Sequence, residues 1–440
     1  MTTVDRFRAL LRIPTISRYD ESEVVWEKFD QFVAALPALY PLVHTMLTRE
    51  LVAGHSMLYR WAGTSDGSPT VLMAHYDVVP ATNERWEHPP FDADLVGEGD
   101  DQELWGRGTL DDKGALVSIL EAVEASLERG VTPHNDIYLS FGHNEETSGS
   151  GTIAIVALLE SRGIRPAFVL DEGGAVVEGI FPGVTKPIAV VGVSEKGIMS
   201  VELAVAQHGG HASTPPKLSA TTRLARAIVR LNGRPFLASF TTPNIEMIRT
   251  IGAHARQPYR WVFTNLWLTR GLLLWLFARL GDETNAMIRT TAVVTQLSGS
   301  LAENALAETA TAILNVRVAI DSSVDAALAH IRHAIRDDVV TVTPLHPSEP
   351  SPVSPTTGAP WNLLRATAEA VYPGTVVTPY IQLGASDSRH FTRICDAVYR
   401  FTPFEISLEE RGTLHAVNER IHVATWLRGI EFYEKLVAAL

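Results

Sequence analysis

The feature that most constrains this chain is the alternation of apolar, strand-like runs with amphipathic helical segments in its first part. Strand-like runs lie at 70–79, 136–142 and 167–173, and helical segments lie between them at 113–130 and 151–163. In the first helical segment the apolar residues recur at helical spacing, at Leu116, Ile119, Leu120, Val123 and Leu127. Buried strands that alternate with helices form mostly parallel sheets with helices on both faces. We therefore predict an α/β fold.

The pattern changes after Lys196, which indicates an inserted domain. Alternating runs typical of half-exposed antiparallel strands now occur together with helical segments. These strands and helices are predicted at 197–208, 220–233, 310–320 and 323–335. The Pro-rich segment 343–355 resembles a linker that returns to the first domain. We expect residues 1–196 and 348–440 to form one domain, and residues 197–347 to form a smaller inserted α+β domain.

Length and charge restrict the class of protein. The chain has 440 residues, which indicates two domains, and its hydrophobic content of 46% is that of an ordinary globular protein. The formal net charge of −13 argues against nucleic acid or an anionic membrane as the main partner. The single cysteine, Cys395, permits no internal disulfide, and its apolar flanks predict a buried structural thiol.

The chain shows no segment that predicts membrane insertion or secretion. The N-terminal segment lacks a long apolar run, so we expect no signal peptide and a cytoplasmic protein. The apolar run 261–277 is 17 residues long and carries Asn265 and Arg270. A spanning helix needs ~20 mostly apolar residues. We therefore predict an interior or interface helix and no membrane span.

Acidic and imidazole side chains follow the predicted strands, and open α/β sheets bind their ligands at such strand ends. His75 and Asp77 are two residues apart on a strand and share one face. The imidazole could bind a metal while the carboxylate fixes its tautomer. Asp111 and Asp112 lie in a glycine-rich turn before a helix, where capping of the helix is the competing interpretation.

Further candidates come later in the chain. Glu145 and Glu146 follow a buried strand and point in different directions, so one could bind a metal while the other acts as general base. Asp171 and Glu172 end the next strand, and His415 precedes a C-terminal helix. Each candidate alone is weak evidence for function, because charged residues at strand ends and histidines in loops commonly have no functional role.

Together these residues predict a metal centre. Mixed imidazole and carboxylate ligands suit zinc, although cobalt or manganese could replace it at such sites. Two histidines and three carboxylates are too many for one tetrahedral ion. They fit two ions that lie ~3.5–4 Å apart and share one carboxylate. We therefore expect two zinc ions per subunit.

Six motifs occur in an order that resembles the M20 family of metallopeptidases, over nearly the whole chain. They are "HYDVVP", "GRGTLDDKG", "NEETSGSG", "LDEGG", "GHAS" and "LHAVNERI". The segments "VSEKG" and "GASDSRHF" are most similar to its carboxypeptidase S and N-acyl-amino-acid hydrolase branch. The resemblance implies a zinc-exopeptidase-like catalytic domain with an inserted lid domain that mediates dimerisation.

The resemblance also implies a role for each candidate ligand. His75, Asp111 and Glu172 would hold one zinc ion. Asp111, Glu146 and His415 would hold the other, so that Asp111 bridges the two ions. Asp171 stays open as an alternative to Glu172.

The remaining roles in the centre come from the same resemblance. Glu145 would be the general base, acting on a water that bridges the metals, and Asp77 would orient the imidazole of His75. The peptide bond between Asp111 and Asp112 is expected to be cis.

The inserted domain is expected to complete the site of a second copy. By resemblance, His211 would reach the partner's site in a homodimer and stabilise the oxyanion. Asn304 and Arg317 match positions that hold the substrate carboxylate or the oxyanion, although "LAENALAE" departs from the family form around Asn304. Arg389 is another candidate for the carboxylate, because arginine binds carboxylates bidentately.

These observations predict a two-zinc amidohydrolase that acts on a peptide or an N-acyl amino acid. A carboxypeptidase or dipeptidase would have the same fold and metal site. The apolar run 261–277 slightly favours an apolar acyl group, although packing of the lid or of a dimer explains it equally well. A binding protein without activity is the remaining alternative, but it would be expected to lack a ligand or Glu145.

Overall fold

The computed structural model describes residues 1–440, and its strands confirm the predicted α/β pattern. Every predicted strand and helix of the first domain is present within a few residues of its predicted bounds. The strands are β1 (Thr48–Val52), β2 (Ser56–Trp61), β3 (Thr70–His75), β4 (Asp94–Val96), β5 (Glu103–Trp105), β6 (Ile137–Gly142), β7 (Phe168–Val177), β8 (Ile188–Glu195), β9 (Gly197–Ala206), β10 (Gly210–His211), β11 (Thr291–Ser298), β12 (Ala305–Leu306), β13 (Thr309–Val318), β14 (Thr341–Ser348), β15 (Val376–Gln382), β16 (Val398–Glu405) and β17 (Arg420–His422).

The helices occur mostly between these strands. They are α1 (Thr3–Leu11), α2 (Trp26–Leu39), α3 (Pro41–Met46), α4 (Lys113–Glu128), α5 (Ser150–Ser161), α6 (Ala220–Asn232), α7 (Thr242–His254), α8 (Tyr259–Thr264), α9 (Leu266–Leu280), α10 (Asp282–Met287), α11 (Val324–Ile335), α12 (Ala359–Val371), α13 (Leu408–Arg411) and α14 (Val423–Ala438). Helix α4 packs against α14, where the indole of Trp426 donates to the carbonyl of Gly114 at 3.1 Å. Trp426 also stacks on Phe7 of α1, with ring centroids 4.6 Å apart.

The main sheet has eight strands in the order β1-β2-β6-β3-β7-β16-β8-β15. Strands β6, β3, β7 and β16 run parallel to one another, and β8 runs parallel to β15, whereas β6 pairs with β2 and β16 pairs with β8 in antiparallel fashion. All six residues of β3 and of β6 are buried, because both faces of the sheet are covered. The mostly parallel sheet is therefore confirmed. The β1–β2 hairpin at one edge is antiparallel and was not predicted from the sequence.

A second, smaller sheet has four strands in the order β11-β13-β9-β14, and all of its pairings are antiparallel. Residues of β9 and β13 alternate between buried and partly exposed, and helices α6 and α11 pack against the buried side. The prediction that 343–355 is a linker is wrong for its first part, because β14 extends to Ser348. This strand lies at the edge of the sheet, where a proline without an N–H is tolerated.

Helices α7 to α10 belong to the predicted insertion but pack against the main sheet. Met247, Ile251 and Leu273 share an apolar cluster with Ile188 of β8 and Val376 of β15. The predicted apolar helix at 261–277 is divided into α8 and α9, and much of it is exposed. The interior interpretation of this segment is therefore wrong. No helix in the structure has the length and apolar character needed to cross a membrane.

Cys395 lies in the main core with 6% of its surface exposed, as predicted. Burial raises the pKa of its thiol to about 11. The thiol is therefore protonated at neutral pH, which fits a structural role.

Candidate metal centre

The predicted ligands converge at the carboxyl ends of the parallel strands. His75 is the last residue of β3, and its Nε2 lies 2.9 Å from Oδ1 of Asp111 and 3.7 Å from Oε2 of Glu172. Nε2 of His415 lies 2.8 Å from Oδ2 of Asp111 and 3.1 Å from Oε2 of Glu146. Two groups of three side chains thus share Asp111, which directs one oxygen to each group. Within each group the candidate ligand atoms lie within 4.8 Å of one another.

The two acidic residues of "LDEGG" point in different directions. Asp171 is buried, and its Oδ2 accepts a hydrogen bond from the N–H of Ser388 at 3.0 Å. Glu172 faces the cavity, because the pairing of β7 with β16 shifts after Asp171 and releases this residue from the regular ladder. Gly173 follows with φ of 137°, and a Cβ there would lie 2.8 Å from the Cβ of Arg400. The geometry therefore favours Glu172 over Asp171 as a ligand.

Asp77 makes more contacts than the sequence indicated. Its Oδ1 lies 3.3 Å from Nδ1 of His75, and its main-chain carbonyl accepts from the same nitrogen at 3.0 Å. Both carboxylate oxygens also accept main-chain N–H groups, one from Glu145 at 3.1 Å and one from Glu146 at 3.2 Å. Asp77 thus positions the glutamate pair as well as the imidazole.

The paired glutamates have different surroundings. Oε2 of Glu146 contacts His415, whereas the side chain of Glu145 forms no hydrogen bond and lines the cavity beside Glu172. Burial raises the pKa of Glu145 well above its ordinary value, and the charge of Glu172 adds to the effect. A carboxylate with a raised pKa is a better proton acceptor than an ordinary one. The arrangement suits one ligand and one base.

Asp112 belongs to neither group of ligands. The Asp111–Asp112 peptide bond is cis, as predicted. Oδ2 of Asp112 accepts the N–H of His75 at 3.3 Å, and its side chain does not cap α4. The capping interpretation of this side chain is therefore wrong. Asp112 instead joins the turn before α4 to the end of β3.

Glu419 is a contributor that the sequence did not single out. Its Oε1 accepts main-chain N–H groups from Gly108, Leu110 and Asp111 at 3.0, 2.8 and 3.2 Å. Its Oε2 accepts from Arg107 at 2.5 Å. The residue lies in the quoted motif "LHAVNERI", but only the fold brings it to the turn that carries Asp111. Glu419 therefore fixes the backbone of the shared carboxylate.

The backbone at His415 is also unusual. Its φ is 58°, a left-handed conformation that residues other than glycine rarely adopt. Its imidazole is half-exposed, so it forms the open side of the centre. Hydrogen bonds to Asp111 and then to Glu146 raise the pKa of His415 to about 10. The two carboxylates thus favour positive charge at this position.

The residues present fit a pair of metal ions. Oε1 of Glu146 is buried and has no hydrogen-bond partner in the protein. Burial, followed by the charge of Asp111, raises the pKa of Glu172 to about 8. Buried carboxylates at this density repel one another unless cations balance them. The donor set of two imidazoles and three carboxylates, without a thiolate, is one that zinc accepts.

A cavity of about 180 Å³ opens over the centre. Its lining contains the acidic residues and His415. Apolar side chains line it as well, among them Leu110, Ala175, Phe404, Ile406 and Leu414. The cavity therefore combines charged and hydrophobic groups in one lining.

His211 and Asn304 lie together in the inserted segment, away from the ligands of their own chain. Strand β10 pairs with β12, so that His211 lies opposite Ala305, and the N–H of Ala212 donates to the carbonyl of Asn304 at 2.9 Å. Both side chains are exposed, and neither lines the cavity over the centre. The structure thus brings these two predicted residues to each other but not to the centre.

Arg317 and Arg389 also lie close to each other. Burial lowers the pKa of Arg317, and the charge of Arg389 lowers it further. Arg317 donates to Oδ1 of Asn315, and Arg389 donates to the carbonyl of Glu349, but neither arginine forms a salt bridge. Both guanidinium groups are partly buried and free of salt bridges, and arginine is suited to bind carboxylates.

The sheet, the shared carboxylate and the open cavity define the class of protein, a metal-dependent hydrolase. The chain belongs to the M20 peptidases: residues 71–439 match the family described as "Peptidase family M20/M25/M40".

Two relatives are similar to this chain in sequence over most of its length. The chain is 34% identical to the N-fatty-acyl-amino acid synthase/hydrolase PM20D1 of Xenopus tropicalis over 440 residues, which cover 99% of this chain and 85% of that one. It is 34% identical to the probable carboxypeptidase S-like 2 of Dictyostelium discoideum, with 95% and 80% covered. Both comparisons extend over the insertion as well as the metal centre.

A solved structure has a similar fold. It is the M20 family metallo-carboxypeptidase Sso-CP2 of Sulfolobus solfataricus, with a TM-score of 0.71 and 17% identity. The match covers 100% of this chain and 99% of the other. The likeness therefore extends to the whole arrangement of both sheets.

Proposed function

We propose that the protein hydrolyses the amide bond of an N-acyl amino acid. The observation that carries the proposal is the cavity over Asp111, whose lining combines the ligand groups with apolar side chains that include Phe404 and Ile406. An amide at the centre would place its acyl group beside these apolar side chains, which we call the apolar wall. The printed name of the Xenopus relative, an N-fatty-acyl-amino acid synthase/hydrolase, supports the same substrate class.

The metal ligands would be those predicted from the sequence. His75, Asp111 and Glu172 would hold one ion, and Asp111, Glu146 and His415 would hold the other. Zinc is proposed for both positions because the donors are imidazoles and carboxylates. When bound, the ions would lower the pKa of a water and polarise the amide carbonyl.

The side chains of the protein would move the protons. Glu145 would accept a proton from the attacking water at its carboxylate and return it to the leaving nitrogen. Asp77 would hold the main chain of Glu145 in place during both transfers. His211 of a second subunit would donate a hydrogen bond to the developing oxyanion.

The carboxylate of the substrate would bind to the pair formed by Arg317 and Arg389. These side chains are partly buried and neither forms a salt bridge, so a substrate carboxylate would give them an ionic partner. Arg317 lies on β13 and Arg389 lies in the short helix Asp387–Arg393. Asn304 would contact the oxyanion or the carboxylate together with His211.

We further propose that residues 197–347 act as the lid of a homodimer, while 1–196 and 348–440 form the catalytic domain. Strand β11 is an unpaired edge of the smaller sheet, and it exposes Val293 and Leu297. Unpaired edges with apolar side chains are usually covered by a partner. A cytoplasmic location stays a prediction, which fractionation of cells that express the protein would test.

A carboxypeptidase or dipeptidase is the second candidate, supported by the name of the Dictyostelium relative. A screen would load the protein with zinc and compare N-acyl amino acids of increasing acyl length with dipeptides. We expect kcat/KM to rise with acyl length and to be lowest for dipeptides, because the apolar wall contacts the acyl group. Preference for dipeptides over every N-acyl amino acid would contradict the proposal.

A further inference from the structure

Helices α8 and α9 expose an apolar surface, which we call the docking face. It consists of Trp261, Trp267, Leu268, Leu272 and Trp275, whose exposed fractions lie between 51% and 84%. Three of the nine tryptophans of the chain lie on this face. Contiguous exposed apolar surface of this kind marks an interaction site in a folded protein.

The docking face is not the side by which α9 packs on the protein. Leu266, Thr269 and Leu273 are buried and occupy the opposite side of the helix. A surface helix usually has polar residues on its outer side, whereas α9 is apolar on both sides. Packing against the protein explains why the inner side of α9 is apolar. It does not explain why the outer side is apolar as well.

The segment of the chain that carries the docking face is positively charged between Glu246 and Asp282. Residues 247–281 contain five arginines and no acidic residue, in a chain whose net charge is −13. All five side chains are exposed and none forms a salt bridge. Arg279 also lies over the ring of Trp275, with 5.5 Å between Cζ and the ring centroid. The other arginines are Arg249, Arg256, Arg260 and Arg270.

We propose that the docking face binds the surface of an anionic lipid bilayer. Tryptophan is enriched at the level of lipid headgroups, and arginines on an interfacial helix are attracted to anionic lipids. The helices would lie in the interface without crossing it, which agrees with the absence of a spanning helix. The net charge of the chain opposes such binding as a whole, but the charge of this segment has the opposite sign.

A second copy of the chain is a poorer partner for this face. In a symmetric contact the same surface meets itself, so the arginines around one face would lie against those of the other. Like charges across an interface oppose association. The exposed edge of β11, which we propose for the dimer, belongs to the other sheet.

The docking face and the metal centre lie on two sides of one apolar cluster. Leu266 and Leu273 of α9 belong to the same cluster as Ala175, and Ile406 packs against it. Ala175 and Ile406 also line the cavity over the centre. A bilayer on this face would therefore bring lipophilic acyl chains near the cavity, but the binding itself does not rest on the proposed reaction.

Sedimentation of the full-length protein with vesicles tests the proposal. One set of vesicles contains phosphatidylcholine alone, and the other contains phosphatidylglycerol as well. We expect the protein to sediment with the anionic vesicles and to be released by removal of the exposed apolar side chains in the variant Trp267→Ser/Leu272→Ser/Trp275→Ser. The matched control Met46→Ser/Leu51→Ser, at exposed apolar positions of α3 and β1, should bind as the wild type does.

The charge requirement is tested by Arg260→Gln/Arg270→Gln/Arg279→Gln. Loss of three cationic contacts should weaken binding by about a hundredfold. Arg226→Gln, an exposed arginine on α6 without a salt bridge, should have no effect. Unchanged circular dichroism and thermal unfolding would show that the variants are folded.

Four results would overturn the proposal. The wild type could fail to bind either vesicle, or could bind both equally. The apolar variant could bind as strongly as the wild type. In sedimentation velocity without lipid, the apolar variant could change from dimer to monomer, which would assign the face to a subunit contact.

Discussion

The carboxylate of Asp77 accepts the main-chain N–H of Glu145 at 3.1 Å, so a residue at the end of β3 fixes the loop after β6. Its other oxygen accepts the N–H of Glu146. Asp77→Asn keeps the size of the side chain but replaces one acceptor oxygen by an NH₂ group. This donor would then face a main-chain N–H, which is also a donor. We expect kcat/KM to fall about 10–100-fold, as for other residues that support a metal ligand.

A matched control for this variant is Asp136→Asn. Asp136 also accepts a main-chain N–H, from Gly63 at 2.9 Å, but it precedes β6 instead of following it. Its activity should equal that of the wild type. Equal losses in both variants would show that Asp77 acts only through general stability.

The two adjacent glutamates should differ in their effects. Glu145→Gln should lower kcat by about 10²–10⁴-fold with both metals retained, because it removes only a proton acceptor. Glu146→Gln should lose metal from one position, because it removes a charged ligand. Metal analysis beside the activity assay distinguishes these outcomes. If Glu145→Gln lost metal and Glu146→Gln did not, the proposed roles would be reversed.

The two adjacent aspartates should also differ. Asp111 directs an oxygen to each ligand group, so Asp111→Asn should weaken both metal positions together. Asp112→Asn serves as the matched variant, because Asp112 contacts only the N–H of His75. Its metal content should stay at that of the wild type. Loss of a metal from Asp112→Asn alone would contradict the assignment of Asp111 as the shared ligand.

The proposed action of His211 across a dimer can be tested with two inactive variants. His211→Ala and Glu145→Ala would be mixed under conditions that allow subunits to exchange. A mixed dimer would then contain one site with both native residues, so activity should return at up to about half of its sites. Mixed samples of each variant with itself provide the baseline. If subunit exchange were confirmed and no activity returned, His211 would act within its own chain or would have no role in catalysis.

Metal binding should depend on pH in a defined direction. The pKa of His415 is raised to about 10 in the absence of a cation, so at neutral pH a bound metal has to displace its proton. Apparent affinity should therefore fall as pH decreases, by about tenfold per pH unit for each proton released. Calorimetric titration in buffers of different ionisation enthalpy measures the number of protons. His415→Ala should release fewer, and an unchanged number would contradict this explanation.

Local patterns predicted the main elements well because each is fixed by its own side chains. Strands β3 and β6 are continuous apolar runs, and α4 has apolar residues at helical spacing. The ligands could be proposed from the sequence because histidine or acidic residues lie at or just after the ends of the predicted strands. The choice between Asp171 and Glu172 could not be made, since it depends on how β7 pairs with β16.

The features that the sequence did not predict depend on contacts between distant segments. Glu419 reaches the turn of Asp111 only after the last part of the chain has folded against it. The proline-containing strand β14 forms because it lies at the edge of a sheet, which its own sequence does not reveal. The exposure of α9 was missed because an apolar run shows the number of apolar side chains but not which of them are covered.

The position of Asp111 between two histidines has a consequence for the stability of the whole fold. His75 lies in the polypeptide before the insertion and His415 lies after it, so ions held through Asp111 would cross-link the two ends of the catalytic domain. An ion that binds only the native state stabilises that state in proportion to the logarithm of the ion's concentration. Metal ions bound at the centre would thereby hold the two parts of the catalytic domain together. The concentration of free metal would then set the free energy of unfolding of the protein.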